Sequence, residues 1–134
     1  MQGKVFLDTS FIVALINDRD EHHEEAQALS WFFDTADLVL TEAVILEIGN
    51  GLANGFRNEA VEVIRILRTS DKTSILKIGG ELLEQAISLY AQHTDKKWGL
   101  VDCLSFVVMR ENGVTEALSF DHDFEQAGFT LLKV

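Results

Sequence analysis

Short apolar runs that each stop at a polar residue, with helix-periodic segments between them, constrain this chain most. VFLD, LVLT, TSILKI and ALSFD are such runs, and the intervening stretches carry apolar residues at three- and four-residue spacing. Strands separated by helices cannot pair as hairpins. They form βαβ units, and those build a parallel sheet covered by helices on both faces. The pattern predicts strands at Lys4–Leu7, Leu38–Leu40, Thr73–Ile78, Glu116–Phe120 and Phe129–Leu132. It predicts helices at Phe11–Ile16, Glu21 to about Phe33, Glu42–Leu52, Asn58–Arg68, Glu81–His93, Leu100–Glu111 and a short turn at Asp121–Gln126. Thr9 or Ser10 is the expected cap of the first helix, and Thr41 closes the second strand and caps the helix after it. The expected fold class is α/β, with a central parallel sheet of about four or five strands.

With 134 residues, no proline, no repeat and no low-complexity tract, the chain offers no linker, so residues 1–134 are expected to form one domain. The lone cysteine, Cys103, has no partner for an intramolecular disulfide and is most simply a small core residue. Asp8 interrupts the apolar N-terminal stretch and no small-residue cleavage site follows it, so the stretch reads as a buried strand rather than a leader. With no segment near the ~20 apolar residues of a membrane span, these features lead us to expect a cytoplasmic protein.

In an open parallel sheet the functional crevice lies beyond the carboxyl ends of the strands. Asp8 and Asp121 each follow directly on a strand-like run, so both should stand at that edge. Glu47 and Asp102 lie on helices among apolar neighbours, Ile45, Leu46 and Ile48 for the first and Leu100, Val101 and Leu104 for the second. Both are therefore expected to point inward. Buried carboxylates without basic partners repel one another, and a divalent cation relieves the repulsion. An all-oxygen ligand set favours Mg²⁺ or Mn²⁺, and such a site suits phosphodiester hydrolysis. Thr9, Ser10, Asn50 and Ser105 lie beside or one helical turn from the acids and are candidate supporting groups; Asp123 either supplements Asp121 or sits on the surface.

Each acid alone has an ordinary reading. Asp8 and Asp121 fit helix caps, Glu47 a solvated helix residue and Asp102 an acid favoured by the helix dipole. His22 and His23, amid Glu21, Glu24 and Glu25, read as exposed histidines on a solvated helix, and Trp31 and Trp98 as packing or interface residues. The formal net charge of −11 argues against a protein that grips a polyanion through a broad basic face.

Taken together, the segments FLDTSFIVALIND, TEAVILEIGNGL, LVDCLSFVVMREN and ALSFDHDFEQAGF resemble the PIN-domain nucleases, and within them the VapC-type toxins of bacterial toxin–antitoxin pairs. The resemblance runs over essentially the whole chain. It implies a single PIN-like domain, Mg²⁺- or Mn²⁺-dependent endoribonuclease activity, and an acidic quartet mapping onto Asp8, Glu47, Asp102 and Asp121 as catalytic and metal-binding residues. It also implies a homodimer and a separate antitoxin whose tail covers the site. In the resulting scheme Asp8, Asp102 and Asp121 hold the principal cation, and Glu47 orients the water or a second cation. The alternative function is a catalytically silent PIN-like scaffold that binds a protein partner; intact acids at all four positions argue against it. An aspartyl phosphotransferase fits poorly, because Asp8-Thr9-Ser10 lacks a second aspartate two positions on.

Overall fold

A computed structural model describes residues 3–134, so the first two residues of the expected 1–134 domain lie outside the described residues. In chain order the elements are β1 (Val5–Leu7), α1 (Thr9–Ile16), α2 (His23–Ala28), α3 (Ser30–Thr35), β2 (Leu38–Thr41), α4 (Glu42–Gly51), α5 (Arg57–Thr69), β3 (Thr73–Leu76), α6 (Gly80–Gln92), α7 (Leu100–Glu111), β4 (Glu116–Leu118), α8 (Asp123–Gln126) and β5 (Thr130–Leu131). The strands form one five-stranded sheet in the order β3-β2-β1-β4-β5, with every pairing parallel. The expected parallel α/β architecture holds.

Chain direction across the sheet decides where the site lies. From β1 the chain steps outward to β2 and β3, then returns to add β4 and β5 on the other side of β1. The order therefore reverses between β1 and β4, and a crevice opens there at the strands' carboxyl ends. β1 and β2 are buried along their whole length, as strands sandwiched between helix layers must be, whereas edge strand β3 is only partly covered. Successive side chains on β1 alternate between the two sheet faces. Phe6 meets Phe124 at 6.0 Å, and Phe124 packs edge-on to Phe106 at 5.1 Å, which in turn meets Trp98 at 5.1 Å. Phe6, Phe106 and Phe124 are fully buried, and Cys103 lies buried in the same core as expected.

Several boundaries differ from the sequence expectation for local reasons. The single helix expected from Glu21 to Phe33 is two helices, α2 and α3. Leu29 joins them at φ −92°, ψ 0°, and the Ser30 hydroxyl donates to the Gln27 carbonyl at 2.7 Å, competing with the helical ladder. The break lets the fully buried Leu29 and the half-buried Phe32 and Phe33 reach the core together. β3 ends at Leu76 because Ile78 N–H turns to a side chain, donating to Glu42 Oε1 at 3.1 Å. β4 ends at Leu118, before the polar SFD corner, and α8 begins only at Asp123. Thr41 occupies the N-cap position of α4, yet its hydroxyl makes no capping bond and is buried without a partner among the described residues. The helix α7 ends as a left-handed glycine dictates: Gly113 has φ 65°, and Val114 N–H then reaches back to the Met109 carbonyl at 2.9 Å.

Because Phe106 joins three rings inside the core, Phe106→Ala should cost about 3–5 kcal/mol. Trp31, 59% exposed, should cost under about 1 kcal/mol when replaced by alanine. Urea denaturation of the two variants would check the contrast.

Candidate functional site

Four elements deliver carboxylates to the crevice. Asp8 stands at the end of β1, its N–H donating to the Leu118 carbonyl of β4 at 3.1 Å, so the sheet itself fixes its position. It is also the N-cap of α1: Ser10 N–H donates to Oδ2 at 3.4 Å. The capping and site readings of Asp8 thus describe one residue, and the cap is Asp8 rather than Thr9 or Ser10. The Ser10 hydroxyl reaches the same Oδ2 at 2.7 Å and the Ser119 hydroxyl at 2.8 Å. Asp8 is 8% exposed, and burial raises its pKa, against the serine hydrogen bonds and with the nearby Asp121 charge adding to the rise.

Glu47 projects from the middle of α4, half-buried, where Thr9 donates to Oε1 at 3.1 Å. Burial pushes its carboxyl up, Thr9 opposes this, and the Asp8 charge adds to it. Asp102 lies in the first turn of α7 with Oδ2 accepting Gly99 N–H at 2.9 Å. Its pKa is pushed to about 6, first by burial, with the Gly99 bond opposing and the charges of Asp121, Asp8 and Asp123 adding. Asp121 sits between β4 and α8. Its N–H donates to Ser119 Oγ at 3.0 Å, and its Oδ1 accepts Asp123 N–H at 2.9 Å.

Asp8, Glu47, Asp102 and Asp121 all line one open cleft of about 490 Å³. Carboxylate oxygens of Asp102, Asp121 and Asp123 lie within 4.8 Å of one another. Asp123 is thus part of the acid cluster rather than a bystander, and its carboxyl too is raised, by burial and by Asp121. No lysine, arginine or histidine lies within ion-pair distance of these five acids among the described residues. A set of oxygen donors with unrelieved mutual repulsion suits a hard divalent cation.

The supporting residues divide. Thr9 and Ser10 hold Glu47 and Asp8 directly, and Asn50 lines the same cleft. Ser105 does not line that cleft: it is buried, and its hydroxyl donates to the Val101 carbonyl one turn back along α7 at 3.0 Å. A serine one turn after Asp102 was a reasonable neighbour by spacing, but i−4 backbone bonding claimed its proton. Sequence reasoning missed Ser119, Asp20, Phe120 and His22, all in or beside the cleft. His22 is only partly solvated. Its ring stacks on Phe120 with centroids 4.5 Å apart, while His23 Nδ1 lies 2.8 Å from the Ala14 carbonyl. The S-x-D spacing of Ser119 and Asp121 was visible in the sequence; the ring stack, joining residues 98 positions apart, was not.

The family model described as PIN domain matches residues 5–130. The chain is 32% identical over 125 residues to a 23S rRNA-specific endonuclease, VapC20, of Mycobacterium tuberculosis, covering 93% of this chain and 95% of that protein. It is 23% identical over 129 residues to a VapC ribonuclease of Aquifex aeolicus, covering 92% and 91% of the two chains. A crystal structure of the M. tuberculosis protein, described as a sarcin-ricin-loop-cleaving toxin, superposes with a TM-score of 0.86 at 31% identity over 97% of this chain and 99% of that one. FitAcB from Neisseria gonorrhoeae shares the fold, with a TM-score of 0.62, 17% identity and 96% of each chain covered.

An acid whose pKa is raised in the folded state favours folding when protonated and opposes it when ionised. Asp102, raised to about 6, therefore destabilises the cation-free protein at neutral pH. In the presence of a chelator, Asp102→Asn should raise stability at pH 7.5 by about 1–2 kcal/mol, after discounting for solvent screening. The gain should shrink as pH falls through about 6, because Asp102 itself then takes up a proton. Thermal melts of both proteins between pH 5 and 7.5 would check the sign.

Proposed function

Because this chain belongs to the PIN-domain family and its carboxylates line one cleft at the sheet's switch point, we propose that it is a metal-dependent endoribonuclease. It hydrolyses phosphodiester bonds in RNA and acts as the toxin of a type II toxin–antitoxin pair. The observation that carries this reading is the convergence of Asp8, Glu47, Asp102 and Asp121 on one cleft with no ion-pair partner among the described residues. The 32% identity to a 23S rRNA-specific endonuclease over nearly the whole chain supports the substrate class.

In this reading Asp102, Asp121 and Asp123, whose carboxylate oxygens lie within 4.8 Å of one another, would hold the cation together with Asp8. Mg²⁺ or Mn²⁺, when bound there, supplies Lewis acidity toward a phosphate oxygen and the departing oxyanion. The Ser10 and Ser119 hydroxyls on Oδ2 would fix the orientation in which Asp8 meets the cation. Glu47, oriented by Thr9, aligns the attacking water and accepts its proton, a task suited to a carboxyl whose pKa lies above the ordinary range. The new P–O bond forms as the ester oxygen on the far side of phosphorus leaves. Asn50 lines the same cleft.

The reading extends to a single domain spanning residues 1–134, a cytoplasmic location, a cognate antitoxin protein and a homodimer. No helix among the described residues is long and apolar enough to cross a membrane. For the dimer, Leu83, Ile87 and Tyr90 recur at i, i+4 and i+7 on α6 and form an exposed apolar stripe beside the buried face that carries Ala86 and Leu89.

The nuclease assignment is tested by incubating purified protein with mixed single-stranded RNA and with a 23S rRNA fragment carrying the sarcin-ricin loop. Cleavage should occur with Mg²⁺ or Mn²⁺, stop with EDTA, and fall about 10²- to 10³-fold in Asp8→Asn and Asp121→Asn. No cleavage by folded, inhibitor-free protein would instead support the catalytically silent scaffold. For the dimer, Ile87→Glu should shift the light-scattering mass from about twice the chain mass of 15.0 kDa to that of one chain, without changing the circular dichroism.

A further inference from the structure

The cleft holds one feature that the acid chemistry does not use. His22 is carried by the turn between α1 and α2, and that turn is strapped at several points. Arg19 N–H donates to Asn17 Oδ1 at 3.0 Å, and His22 N–H to Asp20 Oδ1 at 2.9 Å. Asp20 N–H reaches the Asn17 carbonyl and His23 N–H the Asp20 carbonyl, each at 3.0 Å. The imidazole lies parallel to Phe120, 3° between planes and 4.5 Å between centroids. Phe120 stacks in turn on the fully buried Phe11 at 6.2 Å and 23°, and Phe11 on Phe33 at 6.3 Å and 30°. A run of stacked rings thus leads from the core to the lip of the cleft and ends at His22. One face of that ring is covered by Phe120, yet 38% of the side chain stays exposed.

We propose that His22, backed by Phe120, is a stacking platform for the nucleobase adjoining the phosphate to be cut. The proposal rests on the nuclease reading above and names a substrate-contacting residue within it. Position supports it, since Phe120 directly precedes Asp121 and both rings line the cleft with the acids. Charge selects a base over a phosphate. His22 Nε2 lies 3.5 Å from Glu21 Oε1 and Nδ1 lies 3.8 Å from Glu25 Oε1, so a phosphate approaching the ring nitrogens meets two carboxylates. A base presents an uncharged π-face to the open side of the ring, and no carboxylate repels it. Stacking also supplies affinity that does not need a basic surface, which suits a chain with a net charge of −11.

The test uses the full chain, an oligoribonucleotide that it cuts, and the same oligonucleotide with one abasic ribose placed in turn on either side of the cut. His22→Ala should raise KM about 5- to 150-fold, the range expected for losing one stacked base, with kcat changed by less than about threefold. Mn²⁺ affinity should be unaltered in that variant, and His22→Phe, which stacks without charge, should restore most of the loss. An abasic site at the contacted position should harm the wild type and add little to His22→Ala. A wild-type KM in His22→Ala, no rescue by His22→Phe, or an undiminished abasic penalty would each overturn the proposal. If the wild type cuts no RNA at all, the nuclease reading fails separately. Anisotropy of the labelled oligonucleotide then decides the platform: weaker binding by His22→Ala supports it and equal binding overturns it.

Discussion

Two serine hydroxyls from opposite ends of the chain place their only protons on the same carboxylate oxygen. Ser10 Oγ and Ser119 Oγ both donate to Asp8 Oδ2, at 2.7 and 2.8 Å. Each hydroxyl oxygen also accepts a backbone N–H from the strand-end corner, Phe120 to Ser10 and Asp121 to Ser119, both at 3.0 Å. With both protons committed, the 3.1 Å approach of the two hydroxyls is a close contact imposed by the shared acceptor. This small network ties the end of β1 to the end of β4, orients Asp8, and fixes the backbone that carries Phe120 and Asp121. The cleft, the acid cluster and the ring stack all depend on it.

The network also explains how a carboxylate survives at 8% exposure with no cation in ion-pair distance among the described residues. Hydrogen bonds to the charged form offset part of the desolvation cost, which is otherwise the largest influence on Asp8. The remainder is left unrelieved, as it is at Asp102 and Glu47, where burial again dominates. Such a cluster costs stability and persists where function requires it. The surrounding core supplies the rigidity to hold it, through fully buried β1 and the rings of Phe6, Phe106 and Phe124.

Much of the fold was legible. Five short apolar runs separated by helical periodicity specify a parallel α/β sheet, and every strand and most helices lie where that periodicity places them. The misjudged segment, Glu21 to Phe33, has a periodicity compatible with one helix or two. Its break at Leu29 reflects a side-chain-to-backbone bond from Ser30 and the demands of packing, neither of which periodicity encodes. Boundaries failed in the same way at Ile78 and Phe120, where side chains capture backbone groups that a strand would have used.

For the site, the sequence by itself determined which acids stand at strand ends and on inward helix faces: Asp8, Glu47, Asp102 and Asp121 were identifiable because strand ends and apolar helix neighbours are local properties. Tertiary structure alone decided how those acids are held and what else joins them. Ser119 reaches Asp8 across 111 positions, His22 covers Phe120 across 98, and Asp123 joins Asp102 through the corner after β4. Ser105, by contrast, is drawn away from Asp102 by its own helix backbone. Periodicity reports the environment of a residue along its own element. Which hydroxyl receives which proton is set by the distances between elements, and those exist only once the sheet has closed.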